Sequence, residues 1–148
     1  KVARKVDFKI ATSKRDYTER EMQPFLEQIL AEAAGADFGF YNMGGIRDHF
    51  RAGPVSARHV WNIAPFGNAM VTVTGNGRAI KQMLLREDSE HHRIPELVDE
   101  KEYTVATSNF VADQTQKMLG DQVMLDNRLV LVRDVLIDYL KSNGIRID

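Results

Sequence analysis

The segment YNMGGIRDHF, at positions 41–50, combines side chains that suit a small polar ligand. Asn42 offers an amide, and Arg47 offers a planar guanidinium that matches a phosphate or a carboxylate. Gly44 and Gly45 can adopt positive φ without steric cost and would let a ligand approach the backbone. The same residues are also typical of a plain turn followed by a solvated arginine. A turn and a binding loop are therefore both open interpretations.

Two phenylalanines have sequence surroundings that would suit a planar ligand. Phe66 lies between Pro65 and Gly67 in the segment PFGN, which ends at Asn68, and Phe110 follows an apolar strand pattern. Two such rings could sandwich a base, an interaction worth about 1–3 kcal/mol per base. Phenylalanine is, however, among the more often buried residues. From the residues alone, burial in the core is the favoured interpretation and an aromatic clamp is the alternative.

The remaining polar residues carry weaker signals. Arg20, in the segment TEREM, could contact a second anionic group, although a surface charge on a helix is the simpler interpretation. The histidines lack His-Glu-x-x-His spacing, and His91 and His92 lie in LREDSEHHR, which we expect to be a polar surface loop. Neither a Gly-x-Ser-x-Gly elbow nor a Walker loop occurs. We therefore assign no catalytic and no metal-binding residue.

The composition is that of an ordinary globular domain. Of the 148 residues, 43% are apolar and 28% are charged, which suits one domain spanning 1–148. The net charge is -1, so we expect neither a nucleic-acid partner nor a membrane partner. No segment approaches the roughly 18 apolar residues that span a bilayer. Without cysteine, disulfides and thiolate metal sites are excluded.

Strand patterns alternate with helix patterns along the chain. Val6, Phe8 and Ile10 alternate with polar neighbours and predict the buried face of a strand. The segments DFGFYN, AMVTVT and EYTVATSNF predict three more strands, the last of which ends at positions 109–110. Because helices are interleaved with these strands without a strict βαβ repeat, we predict an α+β (mixed α/β) fold in which helices cover a mixed sheet.

Helices are predicted from their caps and from the spacing of apolar residues. Thr18 and Glu21 form a capping box before a helix that ends near Gly35, and a later start at Pro24 is the alternative. Ser56 caps a short helix that stops before position 65. Two more helices are predicted after the turn GNG and near 113–118. The last predicted helix carries Leu129, Val132, Leu136 and Leu140 and ends at Asn143 and Gly144.

Five ordered segments resemble the C-terminal domain of the 5'-nucleotidase family, whose members include UDP-sugar hydrolase and 2',3'-cyclic-nucleotide phosphodiesterase. The segments are NMGGIR, GPVS, PFGN, TGNGRAI and YTVATSNF. The resemblance implies a domain that binds a nucleotide or nucleoside. It also implies an N-terminal metallophosphatase domain, in cis or in trans, that holds two divalent metal ions and performs the hydrolysis. Family members usually work in the periplasm, at the cell surface or outside the cell.

The resemblance also implies roles for individual residues. Phe66 and Phe110 would sandwich the base, Asn68 would hydrogen-bond its edge, and Asn42 and Arg47 would contact the polar groups of the substrate. The complete implied set of substrate-binding residues is Asn42, Gly44, Gly45, Arg47, Phe66, Asn68, Phe110 and Arg20. Arg20 enters this set as a match to an arginine that family members place before the first helix.

The chain departs from the family pattern in three places. Where the family usually has a Gly-Gly-Asp-Gly loop, this chain has VADQTQKM, in which Asp113 is offset from the matching position. The interval LREDSEHHRIPELVDEK is shorter than its family counterpart. The metallophosphatase motifs do not occur, so we do not expect this chain to be catalytic by itself. A stand-alone ligand-binding or structural module with a degenerate nucleotide site is the alternative function.

Overall fold

A computed structural model describes residues 8–87 and 94–147. Within them, six strands and five α-helices form one succession. The strands are β1 (Lys9–Ser13), β2 (Phe38–Gly39), β3 (Gly53–Ser56), β4 (Ala69–Asn76), β5 (Glu102–Ser108) and β6 (Val123–Leu131). The α-helices are α1 (Glu19–Ala34), α2 (Ala57–Ile63), α3 (Gly77–Glu87), α4 (Asn109–Leu119) and α5 (Val132–Asn143). Short 3-10 turns lie at Met43–Gly45 and Gly120–Gln122.

The main sheet is mixed, as predicted. Its four strands have the order β2-β5-β4-β6, in which β2 runs parallel to β5 and the other two pairs are antiparallel. Strands β1 and β3 form a separate antiparallel pair. The helices pack against the sheet and against one another. The predicted α+β class is therefore confirmed.

The buried apolar side chains of the described residues form two clusters. The first lies between α1, α5 and the loops beside them, and its largest helical members are Leu26, Ile29, Leu30, Leu136 and Leu140. The second lies between the sheet and α3 and α4, and its members include Val73, Val105, Ile80, Met83 and Val111. Each such side chain contributes about 1.5–3 kcal/mol when fully buried. The first cluster also includes Tyr41 and Ile46 from the loop after β2.

The predicted ends of α1 are confirmed. The Thr18 hydroxyl accepts a hydrogen bond from the Glu21 backbone N–H, and the Glu21 carboxylate accepts one from the Thr18 N–H. Gly35 ends the helix in the left-handed conformation, with φ of 66°. The alternative start at Pro24 is wrong, because this proline lies inside the helix. The capping box therefore decides where the helix begins.

Several local predictions differ from the structure. Strand β5 ends at Ser108, and positions 109–110, where we expected its end, begin α4. Phe8 lies just before β1 and is 49% exposed, and Ile10 is only half-buried. Ala11 and Ser13 form the buried face of β1 instead, and the register against β3 shifts between Lys9 and Ala11. Val6 lies outside the described residues. The predicted turn GNG instead ends β4 and begins α3, and the first three residues of the predicted polar loop belong to α3. The remainder of that loop, at positions 88–93, also lies outside the described residues.

Strand β6 was missed by the sequence prediction. Leu129, which the spacing predicts in the last helix, lies in β6, is 89% exposed and has φ of 59°. The Asn127 side chain accepts a hydrogen bond from its N–H, and the pairing with β4 is irregular there. Only Val123 is buried in this strand, so its apolar periodicity is too weak to indicate a strand.

Candidate functional site

One cavity contains seven of the eight residues that the family resemblance implies. It has a volume of about 460 Å³, within the usual range for a small-molecule site. The residues that line it are Asn42, Gly44, Gly45, Arg47, Phe66, Asn68 and Phe110. They come from the loop after β2, the loop between α2 and β4, and the first turn of α4. Arg20 is exposed in the first turn of α1 and is not in this lining.

The loop that carries Asn42 forms a tight turn. Gly45 N–H donates to the Asn42 carbonyl at 3.0 Å, and Ile46 N–H donates to the Met43 carbonyl at the same distance. Neither glycine uses the positive φ that we expected. Space at Gly45 is tight instead, because a Cβ there would lie 3.2 Å from Asn42 Oδ1 and 3.3 Å from the ring of Tyr41. A side chain at this position would require small shifts of these neighbours.

Two side chains of α1 hold the same loop from behind. Gln23 Nε2 donates to the Tyr41 carbonyl at 2.8 Å, and the Tyr41 N–H donates to Glu27 Oε2 at 3.0 Å. All three residues are buried. Burial also raises the pKa of Tyr41 to about 12, so its hydroxyl stays protonated and donates to the Gly45 carbonyl at 3.3 Å. The backbone that leads into Asn42 is thus fixed by buried hydrogen bonds.

Sequence reasoning missed Gln23 and Glu27. The signal was present, because these two polar residues are four positions apart and therefore lie on one face of α1. That face is otherwise apolar, with Leu26 and Leu30 beside them. Buried polar side chains in such a position usually hydrogen-bond to something close by.

Among the described residues that line the cavity, Arg47 is the one with a cationic side chain. Its backbone N–H donates to the Ile63 carbonyl at 2.8 Å, which ties the loop to the end of α2. Its guanidinium carbon lies 5.1 Å from the centre of the Phe66 ring, a cation–π arrangement. Among the described residues its side chain has no carboxylate partner. The charge is therefore available to an anionic ligand.

The two phenylalanines are exposed, so the favoured core interpretation was wrong. Phe66 is 54% exposed and Phe110 is 50% exposed. Phe66 precedes Gly67, whose φ of 65° turns the chain sharply and leaves the ring without cover. Phe110 lies in the first turn of α4, where Asn109 Oδ1 accepts a hydrogen bond from Ala69 N–H at 2.9 Å. This bond joins the start of α4 to the start of β4, beside Asn68.

The described lining suits recognition rather than hydrolysis. It offers two aromatic faces, two side-chain amides and one guanidinium, and it contains no carboxylate, hydroxyl or imidazole. Asp113 is exposed one helical turn beyond Phe110 and is not in the lining. Within residues 8–87 and 94–147, no cluster of three or more His, Asp or Glu side chains could hold a metal ion.

A larger groove of about 760 Å³ lies elsewhere, between α1, strand β2 and the segment 94–97. It contains none of the predicted site residues. Its charged lining residues are Glu27, Asp37 and Glu96. We assign no function to this groove. Among the helices of the described part of the chain, none has the length and apolar character needed to cross a bilayer.

Sequence comparison connects the chain with one family. The profile of the family described as "5'-nucleotidase, C-terminal domain" matches residues 2–96. Protein UshA of Salmonella pullorum is 40% identical over 52 residues, which are 35% of this chain and 10% of that protein. Phe110 lies beyond the profile match.

Solved structures extend the likeness to nearly the whole chain. A 5'-nucleotidase precursor from Thermus thermophilus matches with a TM-score of 0.81 at 21% identity, over 99% of this chain and 39% of that chain. A putative 5'-nucleotidase from Staphylococcus aureus, in complex with alpha-ketoglutarate, matches with a TM-score of 0.77 at 18% identity, over 99% of this chain and 40% of that chain. These likenesses establish the fold, and the chain spans well under half the length of these relatives.

Proposed function

The chain belongs to the family of 5'-nucleotidase C-terminal domains, and on that premise we propose that it binds the nucleotide or nucleoside substrate of a 5'-nucleotidase-like phosphohydrolase. The observation that carries this proposal is the convergence of seven sequence-predicted residues on one cavity. They come from separate loops between positions 42 and 110. Their meeting provides a planar-ring site and an anion site next to each other.

Aromatic stacking selects the base. Phe66 and Phe110 are the exposed rings of the cavity, and a purine or pyrimidine has a face for each. Asn68 hydrogen-bonds the edge of the base. The Asn68 backbone carbonyl accepts a hydrogen bond from Val132 N–H at 2.8 Å. This bond fixes the backbone of Asn68, and the side-chain amide contacts the base. The base is thus recognised by its shape and by one edge.

The polar part of the ligand lies against the loop at 42–47. Arg47 pairs with a phosphate, for which its planar fork is suited. Asn42 contacts the sugar or the phosphate, and the backbone at Gly44 and Gly45 allows close approach. Arg20 enters as a second anion contact, and the residue lies outside the cavity lining in this structure.

Hydrolysis belongs to a separate metallophosphatase domain, in cis or in trans, which holds two divalent metal ions. This chain then contributes positioning, which lowers the barrier by holding the substrate in a reactive orientation. The setting would be the periplasm, the cell surface or the extracellular space, and the process would be nucleotide catabolism. The basis for the partner, the metals and the setting is the family relationship.

An NMR titration of the 15N-labelled chain tests the binding role. We expect adenosine, AMP and UDP-glucose to shift signals at Asn42, Arg47, Phe66 and Phe110. Phe66→Ala should weaken binding about 5- to 150-fold, the range that corresponds to one stacked base. Phe8→Ala is the matched control, because Phe8 is similarly exposed but lies outside the cavity lining. Unchanged spectra at millimolar ligand would refute the proposal.

One observation favours a second candidate, a stand-alone module with a degenerate nucleotide site. A carboxylate commonly holds the ribose hydroxyls of a bound nucleotide, whereas the described cavity lining contains none. Such a module would bind planar anions without preference for the sugar. Comparison of AMP with a phosphorylated aromatic compound that has no ribose separates the two functions, since the substrate-binding domain should prefer AMP.

A further inference from the structure

We propose that Arg47 occupies the base-stacking face of Phe66 in the free protein and thereby makes the cavity select anionic ligands over uncharged ones. The inference rests on the proposed function, because it concerns the same cavity. It adds a second role for Arg47, as a stand-in for the base that has to be displaced before the ligand can stack.

The geometry of the two side chains leads to this role. Both line the cavity, and the Arg47 guanidinium carbon is 5.1 Å from the centre of the Phe66 ring. A base stacked on that ring would have its atoms about 3.5–4.0 Å away, and the next layer of atoms would begin at about twice that distance. A guanidinium carbon 5.1 Å from the ring centre therefore competes for space with a base stacked on the same face. Base and guanidinium cannot occupy this face of Phe66 together.

The contact is weak enough to be exchanged. Arg47 is exposed, and none of the described carboxylates pairs with its side chain. An exposed cation–π contact changes an equilibrium constant by a factor of about two to five. The backbone of Arg47 is fixed to the Ile63 carbonyl, so the side chain can swing away while the loop stays in place.

Displacement has opposite consequences for the two kinds of ligand. A nucleoside removes Arg47 from Phe66 and offers it no charge in return. A nucleotide removes it and supplies a phosphate, which forms charge-assisted hydrogen bonds with the guanidinium. The same residue therefore weakens nucleoside binding and strengthens nucleotide binding. In a hydrolase that releases a nucleoside, the return of Arg47 to Phe66 would promote product release.

Substitution of Arg47 tests this idea through effects of opposite sign. In Arg47→Ala, we expect adenosine to bind about two- to fivefold tighter and AMP to bind at least about tenfold weaker. Arg78→Ala is the control for the loss of one positive charge. Arg78 pairs with Glu100 at the far end of β4, so both affinities should stay at their original values. Calorimetry or NMR titration of the folded chain measures the adenosine and AMP affinities of both variants.

The stacking contact can also be measured without ligand. The ring current of Phe66 should shift the δ-methylene protons of Arg47 upfield, and Phe66→Leu should abolish the shift. Identical Arg47 shifts in the two proteins would overturn the inference. The inference would also be overturned if adenosine bound Arg47→Ala no more tightly than it binds the original chain. If AMP still bound the original chain in that case, the proposed function would stand. Failure of both ligands to bind the original chain would overturn both proposals.

Discussion

Replacement of Glu27 tests whether α1 positions the binding loop. Glu27 is buried, and its carboxylate accepts the hydrogen bond of the Tyr41 N–H at 3.0 Å. Glu27→Ala removes this hydrogen bond and leaves a buried N–H without a partner. Such losses cost about 1–3 kcal/mol. For a domain of this size the melting temperature should fall by about 2–4 °C per kcal/mol, hence by about 2–12 °C in total.

Two further variants sharpen the measurement. Glu27→Gln keeps a carbonyl acceptor at the same position, so we expect it to lose less stability than Glu27→Ala. Glu32→Ala is the matched control, because Glu32 is exposed on the same helix and bonds to Gln28 at 2.9 Å. Its stability should change by no more than about 0.5 kcal/mol.

Thermal unfolding, followed by circular dichroism, provides the comparison. The NMR chemical shifts of Asn42, Gly44 and Gly45 should change in Glu27→Ala and stay the same in Glu32→Ala. Only the first substitution removes a hydrogen bond that holds the backbone of this loop. Equal melting temperatures for the two alanine variants would refute the positioning role of Glu27.

Two more predictions concern electrostatics and backbone strain. The Arg15 guanidinium lowers the pKa of Glu21 to about 2, with help from the Thr18 N–H. The stability from this depressed pKa is present above its ordinary value of 4.5 and is lost as pH falls toward 2; Glu21→Gln should flatten acid-unfolding curves in that window, and an unchanged curve would contradict this. Leu129→Gly should raise the free energy of unfolding by up to about 1 kcal/mol, because it relieves a leucine in the left-handed conformation. Val130→Gly is the control and should lower the free energy of unfolding. Both values can be measured by urea unfolding, and destabilisation by both substitutions would contradict the assignment of strain.

The sequence predicted which residues belong to the candidate site, but not how exposed their side chains are. Asn42, Arg47 and Phe66 stand out because of their immediate neighbours in the sequence, and the structure brings them to one cavity. Their role as ligand contacts stays a prediction. The exposure of Phe66 and Phe110 could not be read from composition, since whether a phenylalanine is covered depends on segments far along the chain. Gln23 and Glu27 were overlooked although their spacing of four places them on one otherwise apolar face of α1.

Local rules account for the parts of the fold that were predicted correctly. The capping box of Thr18 and Glu21, the left-handed Gly35 and the Ser56 cap each depend on residues within about four positions. Strand β6 failed because its residues are mostly exposed and its partner β4 begins more than fifty positions earlier. Apolar periodicity within a short segment cannot indicate pairing with a strand so distant in sequence.

The sequence by itself determined the order of the family motifs, the helix starts and the chemical types available for binding. The tertiary structure decided which of them face one another. Gly39 illustrates the difference: a Cβ there would collide with the backbone of Glu27, so α1 packs directly on β2, and only the folded chain reveals this. The contact of Arg47 with Phe66 arises in the same way. Capping and strand periodicity act over a few residues, whereas burial, close approach and cavity shape depend on contacts between residues distant in sequence.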